Sequence, residues 1–378
     1  LNIDIEVDFV NSTYRKKINS YVKLTPLRRS SMGQVEKLIS FDIEYSTEPI
    51  QRSFGQKSMS FASESKMKDG DWYKIGVTKD AIFKLDYTFL KQLGLDIDNV
   101  DPRKIRLFGY GGGMLPEKND EPRPDDMKEN AIIIEGEQDG VFNQDDFIIF
   151  YGEDQVDWKF YQNFNMFRHS VNLFSDTTYY FINIAQENGL RVRKESASEI
   201  DPSIINNPLT YISNSYDAYD YHEVDNVNII KSGRLWLGEV FDNQLSYNFS
   251  FGFPNVITSE TGKVELNTYA RSASSSRYTL AINNQSFTSS LAPVNTSLYW
   301  AQFASAARDF FNFNPNSTVL NFNLSYNKPL STSRGWLNLL TVNVRSRLNF
   351  QSGNLFFRDI RAVGNDFTEF TIQTNKTI

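Results

Sequence analysis

The C-terminal part of the sequence is a succession of strand-length segments separated by turn residues. In Gly262–Arg271, small or apolar side chains occupy every second position. A period of two places alternate side chains on opposite faces of a strand, so that one face can be buried. Eight such segments are predicted as strands, at residues 245–253, 262–271, 278–282, 298–301, 319–326, 335–344, 354–358 and 369–372. Many short strands in one stretch favour a β-sandwich or jelly roll.

The rest of the sequence also favours strands over helices. Residues 1–9 and 37–45 contain alternating or closely spaced apolar side chains and are predicted as strands. Trp72–Val77 and residues 82–85 are separated by a four-residue turn and are predicted to pair as a hairpin. Residues 86–93 start with a capping Asp and end before a glycine, which predicts a short helix. Aromatic residues at 216–230 have a looser, helix-like spacing.

The fold class follows from these segments and from the aromatic content of 14%, because aromatic side chains are enriched in strands. We predict a mainly β protein made of several β-sandwich or jelly-roll-like modules with a few short helices. Shifts in composition divide the 378 residues into four parts. These are a small β module with its linker at 1–66, a β module with Gly-rich and acidic loops at 67–196, a connecting segment at 197–242, and a jelly-roll-like β-sandwich at 243–378.

Charge and cysteine content exclude several classes of function. The net charge is −7, which argues against a protein that binds nucleic-acid phosphates. The sequence has no cysteine, so it contains no disulfide, no thiolate zinc site and no cysteine nucleophile. No apolar run approaches the about 20 residues that a membrane-spanning helix needs. The sequence starts at Leu1 without a basic-then-apolar leader, so we expect any signal peptide to have been removed or to lie outside it.

Residues 131–152 hold an acidic, glycine-broken loop between two apolar runs, 131–134 and 147–151, which are predicted as buried strands. With Glu135 as position 1, the loop follows the spacing of an EF-hand-type calcium loop and has a glycine at position 6. The candidate calcium ligands are Glu135, Glu137, Asp139, the carbonyl of Val141, Asn143 and Asp146.

The loop also departs from the EF-hand pattern. Glu replaces Asp at positions 1 and 3, Asp replaces the bidentate Glu at position 12, and strands rather than helices flank the loop. The alternative is a hydrated acidic turn, which is the commoner role of a run of charges. Calcium is the one cofactor that the sequence suggests, and both interpretations stay open.

Three further sets of residues could bind a ligand or serve the fold. Residues 111–113 are three glycines without the Lys and Ser/Thr of a phosphate loop, so we expect a turn that needs positive φ. Arg234, Trp236 and Glu239 could bind a ligand by stacking and pairing. Such trios more often hold modules together, and we favour a structural junction. His222 has no second His nearby in sequence and is expected at an interface.

The C-terminal segment is rich in aromatic residues that could stack on sugars. Tyr299 and Trp300 are candidates for this role, whereas Trp336 lies in a segment that is predicted to be buried. No carboxylate pair has the context of a glycosidase, and no Ser lies in a Gly-x-Ser-x-Gly elbow. We therefore predict no catalytic set within this chain.

Several longer runs resemble the N-terminal region of the sortases of the type IX secretion system, which carry a gingipain-type cysteine peptidase domain. The first begins with Asp71-Trp-Tyr-Lys-Ile-Gly-Val, and a late one reads Leu355-Phe-Phe-Arg-Asp-Ile-Arg-Ala-Val-Gly. The runs are residues 71–86, 101–109, 111–117, 135–143, 150–152, 175–181, 232–241 and 355–364, in the order of the family.

The resemblance implies a cell-surface protein of Bacteroidota, on the outer face of the outer membrane. The family removes the C-terminal signal domain of secreted cargo and joins the new carboxyl end to an anionic lipopolysaccharide. Its Cys/His dyad lies in a peptidase domain that the resemblance places after residue 378. The implied partners are an outer-membrane β-barrel shuttle protein of an attachment complex and the C-terminal domains of cargo. Because this chain has no cysteine, no catalytic residue of the family can be assigned to it.

The resemblance and the missing thiol together predict a non-catalytic N-terminal platform that docks the sortase on its barrel partner and supports cargo processing. The cysteine peptidase-like activity is expected only of the full-length protein. The alternative is a surface carbohydrate-binding or adhesin module, because the C-terminal segment is rich in aromatic residues.

Overall fold

The computed structural model describes residues 7–14, 17–30, 32–44, 62–118, 120–193, 211–233, 235–365 and 367–375. The chain divides into two compact units, Leu1–Phe61 and Ala62–Ile378. The described residues of the first unit form two antiparallel strand pairs. Its strands are β1 (Val7–Tyr14), β2 (Lys17–Leu24), β3 (Leu27–Arg29) and β4 (Val35–Lys37).

Two strand predictions fall in the first unit. The strand predicted at 1–9 is present from Val7, and residues 1–6 lie outside the described residues. The strand predicted at 37–45 is wrong for 38–44, which have no regular structure. Ile39, Phe41 and Ile43 are all exposed, so within the described residues these apolar side chains do not form the buried face of a half-buried strand. Residue 45 lies outside the described residues.

The second unit begins with nine strands and the one α-helix of the described residues, α1 (Tyr87–Gln92). The strands are β5 (Trp72–Val77), β6 (Ala81–Asp86), β7 (Ile105–Phe108), β8 (Glu129–Asn130), β9 (Ile133–Glu135), β10 (Phe147–Gly152), β11 (Val156–Tyr161), β12 (Met166–Val171) and β13 (Thr178–Ile184). One sheet has the order β5-β13-β7-β8 and another the order β6-β10-β9. Their apolar faces share one core, in which Leu107, Ile148 and Ile182 are almost fully buried.

The helix is confirmed, but the hairpin predicted beside it is wrong. The side chain of Asp86 caps α1 by accepting a hydrogen bond of 2.9 Å from the Phe89 N–H, and Gly94 follows with φ of 96°. β5 pairs with β13, whereas β6 pairs with β10, so the turn between β5 and β6 carries the chain from one sheet to the other. This crossing lets both strands direct apolar side chains into the shared core, which burial favours.

The C-terminal part of the second unit is a β-sandwich with small strand pairs at its end. Its strands are β14 (Tyr211–Ser213), β15 (Ser215–Glu223), β16 (Val240–Phe241), β17 (Ser246–Gly252), β18 (Gly262–Arg271), β19 (Ser276–Ile282), β20 (Gln285–Leu291), β21 (Ser305–Phe313), β22 (Val319–Asn327), β23 (Arg334–Arg347), β24 (Asn349–Phe350), β25 (Thr368–Phe370) and β26 (Gln373–Thr374). One sheet has the order β15-β23-β18-β21, with β16 also on β23, and the other has the order β17-β22-β19-β20. Val264, Phe322 and Val342 belong to the core that the two sheets share.

The mainly β class is confirmed, and three segment predictions within this part are wrong. The helix-like segment at 216–230 overlaps β15, all nine residues of which pair with β23. Residues 298–301 and 354–358 lie outside strands. Leu298, Tyr299, Trp300 and Phe356 are exposed, so these apolar residues do not form the buried face that the strand prediction assumed. The four-part division of the chain stays a prediction. In the described part of the chain, no helix is long and apolar enough to cross a membrane.

Candidate functional site

The β11–β12 hairpin, which lies between β10 and β13 in the chain, packs on the outer face of the five-stranded sheet of the C-terminal sandwich. The side-chain amide of Asn343 accepts from the Phe167 N–H at 2.6 Å and donates to the Phe167 carbonyl at 2.9 Å. Arg168 donates two hydrogen bonds to the buried carboxylate of Glu265, at 2.6 and 2.9 Å. Paired contacts of this kind fix both position and register, so the hairpin is held firmly against the sheet.

Aromatic rings extend this contact along β15. The ring centroids of Trp158 and Tyr219 are 4.2 Å apart, and those of His169 and Tyr221 are 4.0 Å apart. Nε2 of His169 also lies 2.6 Å from the carboxylate of Glu223. This hairpin is not among the strands predicted from the sequence, although Asp157 and Lys159 alternate with apolar residues ahead of an Asn-rich turn, which is a hairpin signal.

A groove with two cavities borders the hairpin, and Asp80, Trp158 and Arg358 line both of them. The first cavity has a volume of about 310 Å³ and is called here the aromatic lobe. Its wall includes aromatic and hydroxyl-bearing side chains, of which the most informative are Tyr216, Tyr219, Phe253, Phe356, Phe357 and Ser346. Arg358 donates a hydrogen bond of 2.6 Å to the Tyr219 hydroxyl, which anchors the guanidinium at the boundary between the cavities.

The second cavity, about 240 Å³ in volume, is called here the acidic lobe. Its wall contains the carboxylates of Asp80, Glu153, Asp154 and Asp157. Burial, followed by the negative charges of Asp80 and Asp157, raises the pKa of Glu153 above its usual value. Burial is also the main cause that raises the pKa of Asp154. A carboxylate whose pKa is raised by neighbouring negative charges marks a region where negative charge is only partly compensated.

The glycines at 111–113 shape the wall of the acidic lobe. Gly111 has φ of 77°, which confirms the predicted turn with positive φ. A Cβ at Gly112 would collide with the Thr178 hydroxyl and the Asp154 carbonyl, so this position requires close backbone approach. Gly111 and Gly112 therefore serve the fold of the groove wall.

The acidic loop between β9 and β10 satisfies several of its carboxylates internally. The carboxylate of Glu137 accepts from Arg191 Nε at 2.8 Å. Asp139 accepts from the Val141 N–H and from the Asn143 side-chain amide, both at 3.0 Å. Asp146 is buried beneath the loop and accepts from the Asn143 N–H at 2.7 Å. Arginine and loop donors thus offset part of the crowded negative charge.

The predicted calcium ligands are brought into one loop, but their carboxylates are directed to different partners. Glu135 is the last residue of β9 and its side chain is exposed, as is that of Val141. Among the residues that the structure describes, no three His, Asp or Glu side chains are clustered as a metal site requires. A calcium ion would have to rearrange the loop, and its binding stays a prediction.

The predicted junction trio lies near the start of β16. Arg234 is outside the described residues, and Trp236 has an exposed fraction of 43%. Oε1 of Glu239 lies 2.8 Å from Nε2 of His222. Burial raises the pKa of Glu239, but the His222 hydrogen bond and further contacts outweigh this effect and leave the pKa below its usual value. A junction role for the trio stays a prediction.

The C-terminal aromatic residues have different environments. Trp336 is buried, as predicted, and packs with Leu237 and Ala304. Tyr299 and Trp300 are exposed at 93% and 69%, and their ring centroids are 4.8 Å apart. Residues 298–303 between β20 and β21 are called here the aromatic loop, and they present two large rings to solvent.

The fold and the groove define the class of protein. The chain is a mainly β protein in which a hairpin from the first pair of sheets packs on the C-terminal sandwich, with an aromatic and acidic groove beside the hairpin. The sequence supplies no thiol for a peptidase dyad.

Comparison with solved structures identifies the fold more closely. The chain is similar to the crystal structure of dimeric latent PorU from Porphyromonas gingivalis, with a TM-score of 0.64 and 21% identity. The match covers 79% of this chain and 26% of the PorU chain, so this chain spans about a quarter of that protein. The described fold is that of a PorU-like β region, and the resemblance predicted from the sequence is confirmed at the level of the fold.

The other solved structures are much less similar to this chain. A CBM36-1 domain of a multidomain xylanase from the hindgut metagenome of Trinervitermes trinervoides matches with a TM-score of 0.23 and 12% identity, over 33% of this chain and 95% of that domain. A carbohydrate-binding module CBM36 in complex with calcium and xylotriose matches with a TM-score of 0.19 and 10% identity, over 25% of this chain and 70% of that module. These scores are too low to support an argument about either calcium or xylan. No protein-family model and no curated protein matches the chain.

Proposed function

We propose that this chain is the non-catalytic N-terminal platform of a type IX secretion sortase on the outer face of the outer membrane. In this role it docks the sortase on an outer-membrane β-barrel shuttle protein of the attachment complex. It supports the removal of C-terminal signal domains from cargo and the transfer of cargo to anionic lipopolysaccharide. The bond-breaking chemistry belongs to a gingipain-type domain that this chain does not contain.

The fold similarity to PorU over 79% of the chain is the observation that carries this proposal. Two further observations support it. The chain lacks any cysteine, so a cysteine peptidase dyad has to be supplied by another domain. The described residues are rich in exposed loops on a rigid β scaffold, which is a common arrangement for protein docking.

Affinity capture tests the docking role. This chain, alone and joined to the peptidase domain, is immobilised and exposed to the purified shuttle barrel, with an unrelated outer-membrane barrel as control. We expect saturable association with the shuttle barrel only. The proposal fails if no association is seen even with the peptidase domain present, or if this chain alone cleaves a cargo signal domain.

A second candidate function, sugar binding, is favoured by the aromatic loop. Exposed aromatic rings such as Tyr299 and Trp300 provide apolar faces on which sugar rings can stack. A glycan array tests the whole chain against Trp300→Ala, with Leu330→Ala as a matched change at another exposed apolar residue. Saturable binding that is lost only in Trp300→Ala supports the adhesin function, and an absence of glycan binding rules it out.

A further inference from the structure

The groove beside the hairpin has the features of a binding site rather than of a solvent-filled crevice. Its two lobes meet at Asp80, Trp158 and Arg358, which come from three separate parts of the chain. Together the lobes place an aromatic wall directly next to a set of carboxylates. A ligand that fills both lobes therefore needs an apolar part and a cationic part within a few ångströms of one another.

The negative charge of the acidic lobe is the reason why the ligand needs a cationic part. Four carboxylates and one guanidinium, that of Arg358, line this cavity. One of the four, Asp157, has an ion pair of 2.8 Å with Lys159. Asp80 accepts from the Asp154 N–H at 2.8 Å, which holds its carboxylate in place at the boundary between the lobes. The remaining excess of negative charge favours a positively charged ligand over a neutral or anionic one.

The cation is organic rather than a metal ion. In the described part of the chain, no three acidic or imidazole side chains converge closely enough to coordinate one ion. Spread carboxylates suit a guanidinium or ammonium group, which donates several hydrogen bonds over a wider area. The rings of the neighbouring lobe can add stacking or cation–π contacts to the same group.

A second, independent observation lies in the aromatic lobe. Ser346 is only 1% exposed and lines this cavity, and its hydroxyl has no hydrogen-bond partner among the described residues. A buried hydroxyl without a partner is costly, so such groups are normally satisfied by water or a ligand. A polar group that enters the aromatic lobe would satisfy it.

The edge of the five-stranded sheet indicates the shape of the ligand. β15 is the last strand of its sheet, and its residues 216–220 line the aromatic lobe. The Asp217 N–H donates outward, to the Arg358 carbonyl at 2.8 Å. Peptide groups two residues apart on a strand point to the same side, so those of Tyr219 also point to this outer edge. The outward N–H groups of Asp217 and Tyr221 already have acceptors, the Arg358 carbonyl and the Asp220 carboxylate. An extended backbone can therefore pair with this edge at Tyr219.

From these features we infer that the groove binds an extended, cationic peptide segment. A Lys or Arg side chain enters the acidic lobe, a neighbouring apolar side chain enters the aromatic lobe, and the peptide backbone pairs with the edge of β15 at Tyr219. Binding of such a segment does not depend on the docking role proposed above.

Fluorescence anisotropy with the whole chain tests this inference. The probe is a labelled heptapeptide in which Lys and Phe alternate, and the comparison peptide has Glu in place of each Lys. We expect saturable binding of the Lys peptide, weaker at high salt because screening reduces charge attraction. No binding, or equal binding of both peptides, overturns the inference.

Matched variants locate the site. Asp80→Asn and Glu153→Gln are expected to weaken binding about tenfold, since one member of a partly buried charge pair is lost in each. Asp145→Asn makes the same charge change at an exposed position in the acidic loop and should bind like the wild type. If all three variants bind equally, or if a neutral oligosaccharide competes fully at any salt concentration, the groove is not a site for cationic peptides.

A second pair of variants tests the unpartnered hydroxyl. Ser346→Ala and Ser289→Ala each remove a buried Ser hydroxyl that has no partner among the described residues. Only Ser346 lies in the groove, so only Ser346→Ala should weaken peptide binding, by about threefold to tenfold. Equal affinities of these two variants would remove Ser346 from the site and overturn its part in the inference.

Discussion

At the residue scale, Gly112 shows how tightly the groove wall is packed. A Cβ there would meet a hydroxyl and a backbone carbonyl, neither of which is the far end of a flexible side chain. We expect Gly112→Ala to lower the free energy of unfolding by about 1–3 kcal/mol, the usual cost of overpacking. Gly252→Ala is the control, because a Cβ at Gly252 has no neighbour within 4 Å. Urea denaturation measures both variants, and equal stabilities would contradict this account.

A second residue-scale feature is the buried ion cluster that attaches the C-terminal segment to the sheet. Arg345 Nη1 lies 2.7 Å from Asp359 and 3.0 Å from Asp217. The Ser213 hydroxyl donates to Asp359 at 3.0 Å. Burial by itself raises the pKa of Asp359, but hydrogen bonds from Arg345 and its other partners outweigh burial and hold the pKa below its usual value.

This depressed pKa predicts a pH dependence. A carboxylate whose pKa is lower in the folded state stabilises the fold above its unfolded pKa of about 3.9, and this contribution is lost as pH falls through the folded pKa. Asp359→Asn should cost about 3 kcal/mol at pH 7, because it leaves Arg345 with one carboxylate fewer. The difference from wild type should shrink below about pH 4.

Urea denaturation between pH 7 and pH 2.5 measures this effect. Asp145→Asn, at an exposed position outside the cluster, controls for the removal of one carboxylate. A wild-type advantage over Asp359→Asn that stays constant down to pH 2.5 would show that Asp359 does not contribute as an anion.

At the scale of elements, the β11–β12 hairpin depends on one amide side chain. Asn343 satisfies both backbone groups of Phe167, and both residues are buried. Asn343→Ala leaves a buried N–H and a buried carbonyl unpaired, so we expect a loss of about 2–4 kcal/mol. Hydrogen exchange at the Phe167 amide should become faster, whereas Asn312→Ala, at an exposed position on β21, should leave it unchanged. Unchanged exchange in Asn343→Ala would mean that the hairpin is held by other contacts.

The acidic loop between β9 and β10 gives a prediction for calcium. Glu137, Asp139 and Asp146 already accept hydrogen bonds from protein donors, so an ion would have to displace some of them. We therefore expect at most a small rise in Tm when calcium replaces a chelator, and none in Asp139→Asn. A fully formed site at 100-fold excess over Kd would contribute about 2.7 kcal/mol, and a rise of that size would contradict the expectation.

At the scale of the whole molecule, strand pairing rather than strand content sets the architecture. The strand predicted at Gly262–Arg271 has the same first and last residues as β18. It was predictable because apolar or small residues alternate regularly with polar ones. The partners of a strand are decided by contacts far along the chain, as in the pairing of β5 with β13. Such contacts cannot be read from the local sequence, which explains why the hairpin predicted between β5 and β6 is wrong.

The groove also depends on contacts between segments that are far apart in the chain. No single motif in the sequence predicts it, because Asp80, Trp158 and Arg358 come from separate segments that are brought together only when the hairpin packs on the sheet. The acidic loop, by contrast, is local, and its turn and flanking strands were predictable from glycines and apolar runs. Which partners its carboxylates take was not predictable, since Arg191 lies outside the loop.

The sequence by itself determined the mainly β class, the capped helix, the absence of a thiol and the resemblance to one region of a sortase. These properties rest on composition, on local periodicity and on short motifs, all of which act over a few residues. Tertiary structure alone decided which strands pair, where the hairpin docks and how the groove forms. Those outcomes depend on burying apolar faces and pairing polar groups between segments far apart in the chain, and only the folded chain brings such segments into contact.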